Sequence, residues 1–241
     1  MKKDKPKNVK PTLKLDWATH KAAKFACENW HYSKRIPVAK LLKIGVWEDS
    51  KFIGVLIYGD GILGSGKTFL GIDKMNVAEL VRVALTGHKT EVSKILSISL
   101  KFLKAKCPKI QLLVSFADKG QNHHGGIYQA SNWMYTGETE PSTLYKHNKT
   151  GRIYHEKDVS RNGYTTKFGK KSKGPKYSDV TLFKKSRKHR YLYFVDKDLK
   201  KEFKRYEKSY PKRDKHSNDA TGFQPVEGGA IPTVTLQIGE S

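Results

Sequence analysis

Hydrophobic residues recur at two different spacings along the first 150 residues, and each spacing predicts its own kind of element. Apolar positions three or four apart predict a helix that Asp16 caps and that ends near His31, and a second that Thr90 caps over 90–106. Continuous or alternating apolar runs predict strands over 44–49, 51–59, 78–87, 110–118, 133–138 and 142–148, with Asp49 and Ser50 as a tight turn. A short helix over 127–132 completes a mixed α/β order, α-β-β-β-α-β-α-β-β.

The chain changes character after residue 150, where Lys, Gly, Ser and Tyr become frequent. A strand over 191–196 and a basic helix over 198–210 are predicted there, and residues 214–241 lack helical periodicity. We therefore expect a mobile basic arm (1–15), a catalytic core (16–150), a basic extension that packs on the core and binds DNA (151–213), and a disordered tail (214–241).

The charge balance indicates the kind of partner, because 47 Lys and Arg residues against 23 Asp and Glu residues give a net charge of +24. Such an excess indicates a polyanionic partner, usually nucleic acid, with an anionic membrane surface as the rival. We find no apolar run long enough to span a membrane and no signal peptide. The two cysteines show neither metal spacing nor a disulfide framework, so we expect a soluble cytoplasmic protein with no membrane partner.

Lysines and arginines alternate with aromatic residues in the extension. Basic side chains neutralise phosphates, and aromatic rings stack on unstacked bases, although a solvated basic surface would show the same composition. The candidate nucleic-acid-binding residues are Lys34, Arg35, Lys171, Lys184, Lys185, Arg187, Lys188 and Arg190.

Residues 61–68, GILGSGKT, match the phosphate-binding loop of nucleotide hydrolases and follow a predicted strand. That loop needs a helix directly after it, but the next residues include Gly71 and Asp73, which disfavour one. We therefore interpret the match as a basic loop between two antiparallel strands, and no ATP is expected. The ATPase alternative predicts that Lys67 is essential.

The richest set of reactive side chains surrounds the end of the strand over 110–118. Ser115 and Asp118 stand at this end, where α/β proteins bind ligands, and a loop and a short helix follow. Together they offer a general base, a general acid and metal ligands, or else a structural loop. The residues of this set are Ser115, Asp118, His123, His124 and Tyr128.

Two other positions carry polar groups in apolar surroundings. His31 and Tyr32 follow the first predicted helix, either at the rim of a pocket or in a helix cap. Arg82 interrupts an apolar strand that also contains Glu79, and it lies either in a pocket or on a solvated face.

Five stretches follow one another along the chain: WHYSKR, GVWEDSKFIGVLIYGDG, ELVRVAL, VSFADKGQNHHGGIYQASNWMYTG and KHRYLY. In this order they resemble the Mom proteins of phages, and the resemblance covers residues 17 to 213. These proteins methylcarbamoylate adenine in phage DNA against host restriction. The resemblance implies a GNAT acyltransferase-like fold, which the predicted order of elements fits. It also implies work on double-stranded DNA in the cytoplasm of an infected bacterium.

The resemblance further implies catalytic roles for His31, Tyr32, Arg82, Ser115, Asp118 and Tyr128. The family is linked to acetyl-CoA and to iron, for which His31, Tyr32 and Asp118 have the right ligand types. GNAT enzymes hold the CoA pyrophosphate with a glycine-rich turn, but the matching turn here, TGHKTEV, has a single glycine. The candidate donor-binding residues are Arg82, His88, Lys89, Thr90, His123 and His124.

The family's product suggests glycyl-tRNA as the other candidate donor, because a carbamoylmethyl group on an amine is an isomer of a glycyl amide. In this hypothesis Asp118 deprotonates the adenine amine, and Tyr128 protonates the leaving ribose oxygen. The adenine must leave the duplex, and Trp30 or Tyr32 would receive it. The alternatives are a DNA-binding module without catalysis and an ordinary acetyltransferase.

Overall fold

We analysed the protein in a computed structural model, which describes residues 10–59, 68–119, 123–167 and 170–212. The strands of this described part are β1 (Leu13–Trp17), β2 (Leu41–Glu48), β3 (Lys51–Gly59), β4 (Thr68–Phe69), β5 (Ile72–Asp73), β6 (Val77–Leu85), β7 (Leu112–Asp118), β8 (Met134–Glu138), β9 (Ser142–His147), β10 (Ile153–His155), β11 (Tyr164–Lys167), β12 (Lys170–Lys173), β13 (Val180–Ser186) and β14 (Lys188–Phe194). Its α-helices are α1 (His20–Trp30), α2 (Val92–Lys106), α3 (Gly126–Gln129) and α4 (Lys197–Phe203).

The main sheet has seven strands in the order β1-β2-β3-β6-β7-β14-β8. Neighbouring strands are antiparallel except β6 and β7, which are parallel. This order confirms the predicted fold class, a GNAT-like mixed α/β sheet. β14 completes the sheet between β7 and β8, although its residues fall in the range assigned to the extension.

Helices cover both faces of the sheet. α2 buries Ile95, Leu96 and Leu103 in the largest core cluster, together with Leu80 and Leu113 of the central strands. On the opposite face α1 packs small side chains against β3 and β6; the buried members of that cluster are Ala23, Ala26, Cys27, Val55, Ile57 and Ala84. In the described ranges, no helix is both long and apolar enough to cross a membrane.

The extension is folded as well. β10, β9 and β13 form a three-stranded sheet, and β11 pairs with β12 as a separate hairpin. The basic helix predicted over 198–210 is shorter than expected, because α4 ends at Phe203 and a 3₁₀ turn continues to Tyr206. Residues 1–9 of the predicted arm and the whole predicted tail, 214–241, lie outside the described residues.

Both predicted helix caps are wrong. Asp16 lies in β1, opposite Gly45 of β2, and Thr19 caps α1 instead by accepting a hydrogen bond from the Ala22 amide at 3.2 Å. Thr90 lies before the cap of α2, and its backbone amide binds the Glu48 carboxylate. The predicted Asp49-Ser50 turn is confirmed: both residues have positive φ, 49° and 65°, as two-residue hairpin turns require.

Candidate functional site

The candidate site lies where β6 and β7 separate. The two strands pair only from Val77–Leu112 to Glu79–Val114 and then diverge. Just past that point, Ser115 Oγ donates a hydrogen bond of 2.9 Å to the Leu80 carbonyl oxygen. A side chain thus replaces the next rung of the ladder and leaves an opening between the strand ends.

Ser115 also fixes the hydroxyl of Tyr128, which lies 2.8 Å from Ser115 Oγ. The serine has one proton and the Leu80 carbonyl can only accept, so this geometry lets Tyr128 Oη donate to Ser115. Tyr128 is 8% exposed, and its ring packs between those of Trp133 and Tyr191, with centroids 5.3 and 5.1 Å away. The predicted pair is therefore brought together in a buried position.

The other predicted catalytic residues lie on the opposite face of the sheet. Side chains alternate along a strand. Ser115 shares its face with Leu113 and Ala117 of the α2-side core, whereas Asp118 shares its face with Val114 and Phe116 of a second cluster. The six residues therefore form two groups, Ser115 with Tyr128, and His31, Tyr32, Arg82 and Asp118.

His31 is the most strongly perturbed member of the second group. Burial, followed by the positive charge of Arg82, lowers the pKa of His31 to about 3, so the ring is neutral at physiological pH. Its Nδ1 accepts the Ser33 backbone N–H at 3.1 Å, which leaves the ring proton on Nε2.

Tyr32 connects His31 with the loop after β7. Its ring lies 4.3 Å from the His31 ring and 6.1 Å from the His123 ring, and it is 59% exposed. Partial desolvation raises the pKa of Tyr32, while Arg82 lowers it and Asp118 raises it. His31, Tyr32, Arg82, Asp118 and His123 are thus close enough to interact electrostatically or through their rings, and the Tyr32 ring reaches solvent.

Arg82 supplies the cation of this group. Its Nη1 donates a 2.6 Å hydrogen bond to the carbonyl of the preceding residue, Val81. Its Nε is buried and has no hydrogen-bond partner among the residues that the structure describes. A guanidinium with an unused buried donor, next to reactive side chains, is suited to bind an oxyanion or a phosphate.

Glu79 belongs to the site, although the sequence-based set of candidates omits it. Burial raises the pKa of its carboxyl to about 7, despite the opposing charges of Lys188 and Arg82. It is the last residue of β6 that pairs with β7. A lone acid inside the apolar stretch VAELVRVAL was the available signal, because an acid there is either paired or perturbed.

The loop after β7 is held by Tyr191 of β14. Tyr191 Oη donates to the His124 carbonyl at 2.5 Å and accepts a 3.0 Å hydrogen bond from Gln129 Nε2. Gly125 has a φ of 84°, and a Cβ added there would overlap the Tyr191 ring. The glycine thus lets the loop lie directly on this tyrosine.

In the predicted donor-binding turn, residues 86–92, two backbone amides bind a side chain of the protein itself. Glu48 is 4% exposed, and its carboxylate accepts the backbone amides of Lys89 at 2.7 Å and Thr90 at 2.8 Å. Burial alone would raise the pKa of Glu48, but these bonds lower it, so the group is ionised. His88 Nδ1 lies 2.9 Å from the Thr90 carbonyl oxygen, to which it can donate.

A CoA pyrophosphate could not bind the Lys89 and Thr90 amides of this turn as they stand. GNAT-type turns bind the pyrophosphate through free backbone amides, whereas two of the amides here already bind a buried anion. His123 and His124 follow β7, on the other side of the opening between the strands. The six predicted donor-binding residues therefore do not form one phosphate-binding loop.

The predicted iron ligands, His31, Tyr32 and Asp118, include only two side chains of the His, Cys, Asp and Glu types. Within the described ranges, no three His, Cys, Asp or Glu side chains are close enough to hold a metal ion. The Arg82 charge acts on both His31 and Tyr32, two of the three predicted ligands, and would oppose a second cation.

The candidate nucleic-acid-binding residues are spread over both parts of the protein. Lys34 Nζ donates to the Asn29 carbonyl at 3.0 Å, and Lys171 Nζ lies 4.4 Å from the centre of the Tyr164 ring. Lys188 lies across from Asp118 in the pairing of β14 with β7.

The remaining residues of this set lie on or near the strands of the extension. Arg187 and Arg190 bond to the segment around β8, through the Thr139 carbonyl at 3.4 Å and the Thr136 hydroxyl at 2.9 Å. Lys184 and Lys185 pair through their backbones with Leu144 and Thr143 of β9. Arg35 lines a cavity of the extension.

Residues 61–67 of the nucleotide-binding motif lie outside the described residues. The chain directly after it forms the small hairpin β4–β5, in which Thr68 pairs with Asp73. A phosphate-binding loop would need a helix at this point, so the ATPase alternative is not supported.

Comparison with known proteins gives a family and distant structural neighbours. A protein of Escherichia phage Mu, named methylcarbamoylase mom, is 29% identical over 178 residues, which are 71% of this chain and 70% of that protein. An aminoglycoside acetyltransferase, AAC(6')-Ib, solved with coenzyme A, gives a TM-score of 0.41 at 12% identity and covers 54% of this chain and 88% of its own. A spermidine N-acetyltransferase from Vibrio cholerae gives 0.38 at 9% identity, with coverages of 78% and 98%. The Mom protein family model matches residues 12–212, and the chain belongs to this family.

Proposed function

We propose that this protein transfers a carbamoylmethyl group to the exocyclic amine of adenine in DNA, a modification that protects phage DNA from restriction. Support comes from its family, from the printed name of its phage Mu relative, and from its charge of +24. The observation that carries the proposal is the separation of β6 from β7 directly after Glu79, a carboxyl whose pKa burial raises to about 7.

Two carboxylates are candidates to remove the proton of the adenine amine. A general base works best when its pKa is near the working pH, a condition that Glu79 meets. Asp118 stands at the end of β7 on the same face of the sheet. We assign the base role to Glu79 and a binding role to Asp118, which changes the assignment made from the sequence.

Glycyl-tRNA is the donor that we favour over acetyl-CoA, because Glu48 occupies the turn that would hold a pyrophosphate. The adenine amine would attack the ester carbonyl of glycyl-tRNA, and the bond from that carbonyl to the ribose oxygen would break. Arg82 is suited to stabilise the oxyanion formed on the way. Tyr128, the acid proposed from the sequence, is held by Ser115 on the opposite face of the sheet from Arg82, so it would have to reach the leaving ribose oxygen through the opening between β6 and β7.

A second step would convert the glycyl amide into the final product. The glycyl amino group would attack ring carbon C6 of adenine, and the bond from C6 to the original exocyclic nitrogen would break. That nitrogen would leave as the carboxamide, so no atom or electron is gained or lost. His31, which is neutral because its pKa is lowered to about 3, can move a proton between the two nitrogens.

Double-stranded DNA and tRNA are the proposed nucleic-acid partners. Lys171, Arg187 and Arg190 lie in the extension, and Lys34 lies four residues after the end of α1. Each can neutralise one phosphate, so binding should weaken steeply as salt increases.

Mass spectrometry of nucleosides tests the proposal directly. Plasmid DNA incubated with purified protein and glycyl-tRNA should yield a carbamoylmethyl deoxyadenosine, whereas uncharged tRNA should yield none. Glu79→Gln should abolish the product, and Glu202→Gln, a matched change on the exposed face of α4, should not. Product formed from acetyl-CoA alone would overturn the donor, and no product under any condition would favour a DNA-binding module.

A further inference from the structure

The extension contains a cavity of about 720 Å³ that the proposed reaction does not use. It lies between the three-stranded sheet, the hairpin β11–β12 and the segment after α1. Its volume falls in the range of small-molecule sites and exceeds that of one nucleotide. The lining residues that matter below are Arg35, Arg152, Tyr154, His155, Lys173 and Asp179.

The charges of this cavity favour an anion. Arg35, Arg152 and Lys173 reach it from three separate segments, against two carboxylates, Asp158 and Asp179. The Asp179 carboxylate accepts the Lys176 amide and the Ser178 hydroxyl, both at 3.2 Å, and is thereby engaged within its own turn. The three cations outnumber the two carboxylates, so the lining carries a net positive charge that favours an anion.

Two aromatic side chains of β10 add a surface for a base. The Arg152 guanidinium lies 5.1 Å from the centre of the Tyr154 ring, so a cation and an aromatic plane stand together. His155 Nδ1 is buried and has no hydrogen-bond partner within the described ranges. Burial, then the charge of Lys157, lowers the pKa of His155, so the neutral ring can bind a base edge or a ribose hydroxyl.

The cavity adjoins the candidate site. Arg35 follows Tyr32 by three residues and lines the cavity. Lys188 and Lys157 act electrostatically both on His155 in the cavity wall and on Glu79 in the site. A nucleic-acid strand bound at the candidate site could therefore continue to this cavity.

We propose that the cavity binds one unstacked nucleotide, with its phosphate on Arg35, Arg152 and Lys173 and its base on Tyr154. This inference rests on the proposed function and extends it to a second nucleotide of the same strand. An unstacked nucleotide has two sources with the same chemistry, the strand beside a flipped adenine or the single-stranded acceptor end of a tRNA.

Fluorescence anisotropy on the full chain tests the assignment with three probes, an intact DNA duplex, a duplex with a short unpaired segment around one adenine, and a tRNA. Tyr154→Ala should weaken binding of a probe with unstacked nucleotides about tenfold, since one stacked base contributes this much. Tyr154→Phe should bind like the wild type, and the intact duplex should change less than twofold with either variant. Loss confined to the unpaired DNA assigns the cavity to DNA, and loss confined to tRNA assigns it to the donor.

Arg205 and Tyr206 offer a matched control, because they form the same kind of pair at 5.0 Å outside the cavity. Tyr206→Ala should leave all three affinities unchanged. If Tyr154→Ala binds every probe within twofold of the wild type and adenine modification is normal, only the cavity assignment is overturned. If Tyr154→Ala weakens binding but the wild-type protein modifies no adenine, the proposed reaction is overturned and the cavity remains a nucleotide site.

Discussion

Glu48 and Thr90 are 42 residues apart in sequence, yet the Thr90 amide donates a 2.8 Å hydrogen bond to the Glu48 carboxylate. The Lys89 amide binds the other carboxylate oxygen at 2.7 Å. The end of β2 is therefore fixed to the turn before α2 by one buried anion. The amides that precede the central helix stabilise the fold here, whereas the resemblance led us to expect that they bind a donor.

Removing this carboxylate should lower the stability of the fold. Glu48→Ala leaves two buried amides without their acceptor, so we expect a loss of about 2–4 kcal/mol in the free energy of unfolding. Since the folded pKa of Glu48 is lowered, its contribution is full above the unfolded pKa and disappears as pH falls through the folded value. Urea denaturation at pH 7 and pH 3 measures both effects.

Glu28→Ala serves as the control for Glu48→Ala, since Glu28 makes an exposed 3.8 Å ion pair with Lys24. It should change the unfolding free energy by less than about 0.5 kcal/mol. Equal effects of the two substitutions would show that the buried contacts of Glu48 contribute no more to stability than an exposed ion pair does.

The hydroxyls of Ser115 and Tyr128 should behave as a coupled pair, because they lie 2.8 Å apart in a buried position. Tyr128→Phe and Ser115→Ala should each destabilise the fold by about 1 kcal/mol, and the double variant by less than their sum. A double-mutant cycle by urea denaturation measures this coupling. Strict additivity would mean that the two groups do not interact in solution.

Alanine substitutions at Gly125 and Gly71 distinguish the stability cost of steric overlap from that of backbone strain. Both have positive φ, 84° and 82°, but a Cβ at Gly125 would meet the Tyr191 ring, whereas none of the described atoms lies within 4 Å of one at Gly71. Gly71→Ala should cost only the backbone term, about 1 kcal/mol, and Gly125→Ala clearly more. Thermal unfolding of both variants compares the two costs, and similar values would argue against close packing of the loop on Tyr191.

Local signals predicted the frame of this fold well. The Asp49-Ser50 turn and the buried run of β7 were readable because a two-residue turn and an apolar strand are determined by neighbouring residues. The caps at Asp16 and Thr90 were mispredicted because pairing with β2 and bonding to Glu48, both long-range contacts, prevailed over local preference. Glu79 was missed for the same reason, since the burial that raises its pKa comes from long-range packing.

Glu79 should give the protein a pH dependence with an unusual sign. Its folded pKa of about 7 exceeds the ordinary value of 4.5, so between these pH values the folded state binds more protons than the unfolded state. The free energy of unfolding therefore falls as pH rises through this window. One buried carboxyl can account for a loss of about 1–3 kcal/mol. Glu79→Gln should flatten the curve and be more stable than the wild type at pH 8.

The same substitution tests the base role of Glu79. If this carboxyl removes the adenine proton, the rate of modification by the wild type should rise with pH around an apparent pKa near 7. Glu79→Gln should lose this rise and most of the rate, about 100-fold or more, whereas Glu202→Gln should keep both. If the Glu79→Gln variant is more stable at pH 8 but modifies adenine at the wild-type rate, the burial of Glu79 is supported and its base role is contradicted. Asp118 would then be the candidate base.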